Sequence, residues 1–189
     1  MNIISKMFLD GRHGKSMSLV SHLNPKTILD VGCDDGRFLV RLCKQFPSAQ
    51  LFGCDIDQKS IHSASIACLN SHLYCGDFFN SKFKKMDLIT LLEVLEHQTD
   101  PAVMLSKAKS LLKKNGRILV SIPKSELWYW QVIWILWSHT FGRRWLDQHK
   151  NLTQSQLVNI ALKCGLELES KSSFFFGCIS IMLFAPVIK

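Results

Sequence analysis

No stretch of this 189-residue chain reaches the roughly 18–20 consecutive apolar residues that a membrane-spanning helix needs. The first fifteen residues, MNIISKMFLDGRHGK, carry charges throughout and lack the apolar core of a secretory leader. The seven cysteines contain no C-x-x-C pair, which argues against a structural zinc site or a dithiol redox motif. Their odd number and scatter, from Cys33 to Cys178, read as free thiols used as small hydrophobes in a reducing compartment, so a cytoplasmic setting is expected. Lys and Arg outnumber Asp and Glu by 23 to 15, but no basic run is long enough to form a nucleic-acid-binding arm. Nucleic acid is therefore not expected as a partner. A hydrophobic content of 47% and a charged content of 20% exclude a disordered chain, and the length indicates one domain over residues 1–189.

What is present is an alternation of strand-like and helix-like segments. An N-terminal helical segment, 3–23, is expected to break near Gly11 and Gly14. Short β-rich runs follow at 27–31, 51–54, 73–75, 87–92 and 117–122, with two more near 166–172 and 178–184. Between them the apolar spacing predicts helices over 37–46, 58–69 and 101–112, the second N-capped by Asp57 and the last opened by Asp100-Pro101 and closed by Asn115-Gly116. Thr153 with Gln156 has the form of a capping box for one further helix, running to Cys164. The expected fold is a doubly wound, mostly parallel α/β sheet of seven strands ending in an antiparallel hairpin. In such sheets ligands bind at the carboxyl ends of the strands.

One stretch organises this reading. Residues 27–38, TILDVGCDDGRF, compress a buried strand, a glycine turn and a helix start into about a dozen positions. Asp55 and Asp77 close the next two strands, and EVLEH (93–97) follows the fourth. Together these residues resemble the class I S-adenosylmethionine-dependent methyltransferases, most closely the ubiquinone-type O-methyltransferases. Asp30, Gly32, Asp34 and Gly36 match the family's D-x-G-x-G-x-G except that Asp34 replaces the middle glycine. The resemblance implies a donor site built from Asp30, Gly32, Cys33, Asp34, Gly36, Asp55, Ile56, Asp77, Phe78 and Glu93. In it Asp55 takes the ribose hydroxyls, Asp77 the adenine amino group, and Phe78 lies beside the base.

Glu93, Glu96 and His97, read at helical or turn spacing, share a face on which Glu93 meets both others. With His149 they form a candidate magnesium set, a pattern similar to that of metal-using methyltransferases acting on ubiquinone precursors or on the 2′-hydroxyl of small RNAs. His149 and His97 are also the candidate bases for deprotonating a hydroxyl acceptor. Residues 126–148 form a Trp-rich insert that leaves almost no polar face. Its segment 127–145 is read either as a cap over an apolar acceptor or as a membrane-surface contact. The expected activity is methyl transfer to the oxygen of a small, hydrophobic, even lipid-like acceptor, from a protein that is cytoplasmic or peripheral to the membrane. The alternatives are a metal-assisted RNA 2′-O-methyltransferase and a scaffolding protein that binds the donor without chemistry.

Overall fold

The computed structural model describes residues 3–124 and 152–187, with side chains from Phe8 onward. The Trp-rich insert and His149 lie outside the described residues. The strands are β1 (Thr27–Val31), β2 (Gln50–Asp55), β3 (Ser71–Cys75), β4 (Met86–Leu92), β5 (Leu112–Pro123), β6 (Leu166–Phe174) and β7 (Ile179–Pro186). They form one sheet in the order β3-β2-β1-β4-β5-β7-β6. The pairs from β3 through β5 are parallel, whereas β7 runs antiparallel to both β5 and β6. The direction of winding reverses between β1 and β4, so the switch point lies beyond the carboxyl ends of those two strands. The seven-stranded fold and its C-terminal hairpin are as the sequence predicts.

Helices cover both faces. α1 (Ile3–Val20), α2 (Arg37–Gln45) and α3 (Gln58–Ala67) lie on one, and α4 (Pro101–Ser110) and α5 (Gln154–Lys163) on the other. The central strands are consequently buried on both sides, and all five residues of β1 are buried. On α2 the buried stripe is Phe38, Leu39 and Leu42, each contributing roughly 1.5–3 kcal/mol by burial. The predicted caps form. Asp57 accepts from the Ser60 amide, Asp100 from the Ala102 amide, and Thr153 and Gln156 close a complete capping box.

Two expected boundaries are corrected. α4 stops at Ser110 rather than at Asn115-Gly116, because the Met86 amide donates to the Leu111 carbonyl (2.7 Å) and Leu112 pairs with Met86. Pairing with β4 captures residues whose spacing alone would have continued the helix. α1 also runs unbroken through both glycines. At Gly11 the reason is contact: a Cβ there would stand 2.5 Å from the Phe174 ring, so glycine lets the helix close on β6. Nothing lies within 4 Å of the Gly14 position. Gly14→Ala is therefore expected to stabilise the fold by about 0.5–1 kcal/mol, and Gly11→Ala to destabilise it, as thermal unfolding of the two variants would register.

Among the described residues no helix is long and apolar enough to cross a membrane.

Candidate active site

The loop that leaves β1 is shaped by backbone that ordinary residues avoid. Gly32, Asp34 and Gly36 have φ of +69°, +46° and +80°. A Cβ on Gly32 would come within 2.7 Å of Val94, and one on Gly36 within 2.9 Å of the Ala64 backbone. Both positions thus exclude a side chain by contact as well as by torsion. Asp34 occupies the left-handed region that Asp tolerates, and its carboxylate accepts from the Ser60 hydroxyl (3.0 Å). The substitution of the family's middle glycine leaves the turn intact and directs the side chain toward α3. The Gly32 and Cys33 amides donate to the Cys54 carbonyl, which ties the loop to the end of β2.

Asp55, half-buried at the carboxyl end of β2, accepts the Asp34 amide on one carboxylate oxygen (3.0 Å) and the Asp57 amide on the other (2.9 Å). An ionised carboxylate has about four acceptor positions, so each oxygen retains one for an incoming hydroxyl. The next side chain, Ile56, is 80% exposed, an apolar surface beside a charged one. Asp77, exposed at the end of β3, caps the short turn Phe78–Asn80 through the Phe79 amide. Phe78 itself is buried in the core, and Phe79 is the more exposed ring of the two. Asp30 and Cys33 lie beneath the loop. Asp30 faces Thr90 across the β1–β4 register and the two side chains bond at 2.5 Å. Burial pushes the Asp30 carboxyl up to about 7, against the opposing influence of the Thr90 hydrogen bond.

At the end of β4 the chain turns sharply, with Glu93 at φ +58° and a single 3₁₀ turn over Leu95–His97. The predicted shared face therefore does not form. Glu93 turns sideways, accepting from the Ser121 hydroxyl of β5 (2.7 Å) and facing the Arg12 guanidinium of α1 at 3.8 Å. Glu96 points inward at 1% exposure with both oxygens unpartnered, while His97 is exposed. Burial, reinforced by the Glu93 charge, holds the Glu96 carboxyl well above its ordinary range. Among the described residues no three His, Cys, Asp or Glu side chains converge to hold a metal. The candidate magnesium set does not fit this geometry, and its fourth member, His149, lies outside the described residues.

Arg12, His13, Thr90, Ser60 and Ser121 are absent from the sequence-based site. They sit in segments whose role is decided by which strands become neighbours. His13 is buried against Phe38, with ring centroids 5.0 Å apart, and burial followed by the Arg12 charge lowers its pKa to about 3.

For S-adenosylmethionine the residues present fit. A loop with no room for side chains at Gly32 and Gly36, a carboxylate with spare acceptor positions and an exposed apolar neighbour suit a phosphate-free nucleoside. The rim also carries an excess of acid. The segments at this end (31–37, 55–58, 75–79, 92–101 and 123–124) hold eight Asp and Glu against two Lys and Arg. That sign suits a donor with a net positive charge.

Comparison with known proteins agrees with this geometry. A family model described as a methyltransferase domain matches residues 11–171. The ubiquinone biosynthesis O-methyltransferase of Pasteurella multocida is 30% identical over 127 residues, covering 59% of this chain and 52% of that protein. Its counterpart in Pelagibacter ubique is 24% identical over 163 residues, covering 80% of this chain and 66% of that protein. The chain thus spans between about half and two thirds of the length of these curated relatives. Magnesium protoporphyrin IX methyltransferase from Synechocystis, solved with S-adenosylhomocysteine, superposes with a TM-score of 0.76 at 19% identity, over 98% of this chain and 88% of that one. The fold, the glycine loop and the family match lead to one assignment: the chain belongs to the methyltransferase-domain family, within the class I S-adenosylmethionine-dependent methyltransferases.

Proposed function

We propose that this protein is an S-adenosylmethionine-dependent O-methyltransferase acting on a small acceptor with an apolar body. The observation that carries the reading is Asp55, whose two oxygens are fixed by the Asp34 and Asp57 amides beside the bare glycine loop. Bound there, the cofactor supplies a methyl group already activated on a sulfonium. The chain then has to hold the donor, align the acceptor oxygen and keep water away, an orientation effect worth up to about 7–11 kcal/mol. Asp55 and the Gly32–Gly36 loop hold the donor, Ile56 packs on it, and Asp77 is the acceptor for its amino group. Glu93, braced by Ser121 and Arg12, stands at the carboxyl end of β4 on the acceptor side of the switch point. His97, exposed one turn further on, and His149 are the proposed bases for the acceptor hydroxyl.

Oxygen as the methylated atom, and an acceptor with an apolar or lipid-like part, rest on the likeness to the ubiquinone biosynthesis enzymes and on the Trp-rich composition of residues 126–148. The test combines calorimetry with product analysis. S-adenosylmethionine and S-adenosylhomocysteine are each expected to give saturable heat. A catechol carrying an isoprenoid tail is expected to gain one methyl on oxygen, faster than the same catechol without the tail. No heat with either ligand at millimolar concentration would remove the reading, and equal rates on the two catechols would remove the apolar acceptor.

A further inference from the structure

The two ends of the sheet carry opposite charge. At the end away from the site, the segments 20–26, 45–50, 67–71, 82–87, 110–117 and 163–167 hold eight Lys and Arg against two acids, the mirror of the site rim. The centre of this basic end lies beneath the neighbouring strands β1, β4 and β5, in segments that carry Lys26, Lys84, Lys85, Lys113 and Lys114 with one carboxylate, Asp87. Asp87 is already committed: it accepts from Lys113 (2.8 Å) and from the Lys26 and Thr27 amides. Lys84 and Lys85 are met by neutral oxygens, the Gln50 side chain and the Ser110 carbonyl, so their charge is uncompensated by those bonds. These segments together carry a net charge of +6.

A second feature accompanies the charge. Large aliphatic side chains stand exposed along the same end, Leu69 (84%) before β3 and Leu162 and Val187 beside β6 and β7. They flank the lysines on both sides of a row about seven strands, or roughly 30 Å, wide.

We propose that this end of the molecule docks on an anionic lipid bilayer, with the lysines at headgroup level and the flanking aliphatics entering the interface. Clustered lysines beside exposed aliphatic side chains are the composition of a surface that lies on anionic membranes. Nucleic acid is the poorer occupant. The cluster is built of lysines, which contact phosphate as point charges, and the aromatic rings nearest it, Phe52 and Phe83, are half-buried rather than offered for stacking. This surface lies at the end of the sheet opposite Lys124, and it does not depend on the methyl-transfer reading.

The test is vesicle co-sedimentation of the full chain. Binding is expected to equimolar phosphatidylcholine–phosphatidylglycerol vesicles and not to phosphatidylcholine alone, and to weaken steeply with salt. The triple variant Lys26→Glu, Lys82→Glu and Lys114→Glu changes exposed side chains only and should lower partitioning at least a hundredfold. Its S-adenosylhomocysteine titration, read at the other end of the molecule, should be unchanged and reports that the variant is folded. Leu69→Ser with Leu162→Ser should weaken binding several-fold while leaving the salt dependence in place. The proposal fails if the chain ignores anionic vesicles or if the triple variant binds them as the parent does. It also fails if the lysines prove to bind an RNA duplex and not lipid.

Discussion

Near neutral pH the Asp30→Asn variant is expected to be more stable than the parent by about 4 kcal/mol, and at about pH 4.5 by only about 1 kcal/mol. Asp30 is buried under the glycine loop with its pKa raised to about 7, whereas in the unfolded chain it titrates at 3.8. Between those values the folded state holds a proton that the unfolded state has released, so stability falls as pH rises through the window. Asparagine keeps an oxygen for the Thr90 hydroxyl and never ionises, so the variant does not lose this stability. His13 acts in the opposite sense. Its folded pKa of about 3 lies below the ordinary 6.5, so its contribution is complete above pH 6.5 and is lost as pH falls toward 3. The two slopes oppose one another between about pH 4 and 6.5, and the raised Glu96 carboxyl adds to the Asp30 slope. Asp30→Asn removes the Asp30 slope and leaves the other two, so the variant gains on the parent as pH rises through this window. Urea unfolding of both proteins across this range measures the difference; a stability gap independent of pH would show that Asp30 is already ionised in the fold.

Much of the sheet was legible from the sequence because its signals are local. Buried parallel strands read as short apolar runs, and Asp57, Asp100 and Thr153 announce the helices they cap. The acids at the strand ends could likewise be placed on one rim once the winding order was known. What escaped depends on neighbours remote in sequence. The end of α4 is decided by Met86, twenty-five residues upstream of the Leu111 carbonyl that it captures. The continuity of α1 through Gly11 depends on Phe174, at the far end of the chain. EVLEH misled for a different reason. Its spacing implies one face only if all five residues are helical, and the left-handed Glu93 breaks that premise, sending Glu93 toward β5, Glu96 into the core and His97 to the surface. A spacing argument cannot foresee a positive φ at a residue that rarely adopts one. Asp34 is the contrary case, where the residue type itself is compatible with the torsion the loop requires.

Asp55→Ala is expected to lower the affinity for S-adenosylhomocysteine by roughly 10²–10⁴-fold, the value of two hydrogen bonds to an ionised group. Two effects combine in that loss. The first is removal of the acceptor pair for the ribose hydroxyls. The second is release of the loop, since the Asp34 and Asp57 amides both lose the oxygens that hold them. Those amides sit at exposed residues and can turn to water, so the cost to folding should be small beside the cost to binding. Asp55→Asn separates the contributions. Its single carbonyl oxygen can keep one amide or one hydroxyl but not the full set, and its NH₂ group faces an amide donor it cannot satisfy. An intermediate loss for asparagine, with thermal stability close to the parent in both variants, is the expected pattern in calorimetry and melting experiments. If alanine and asparagine lose little affinity, the ribose is held elsewhere and Asp55 serves only the loop. If both variants melt far below the parent, the two bonds to the backbone matter more to the fold than to the ligand.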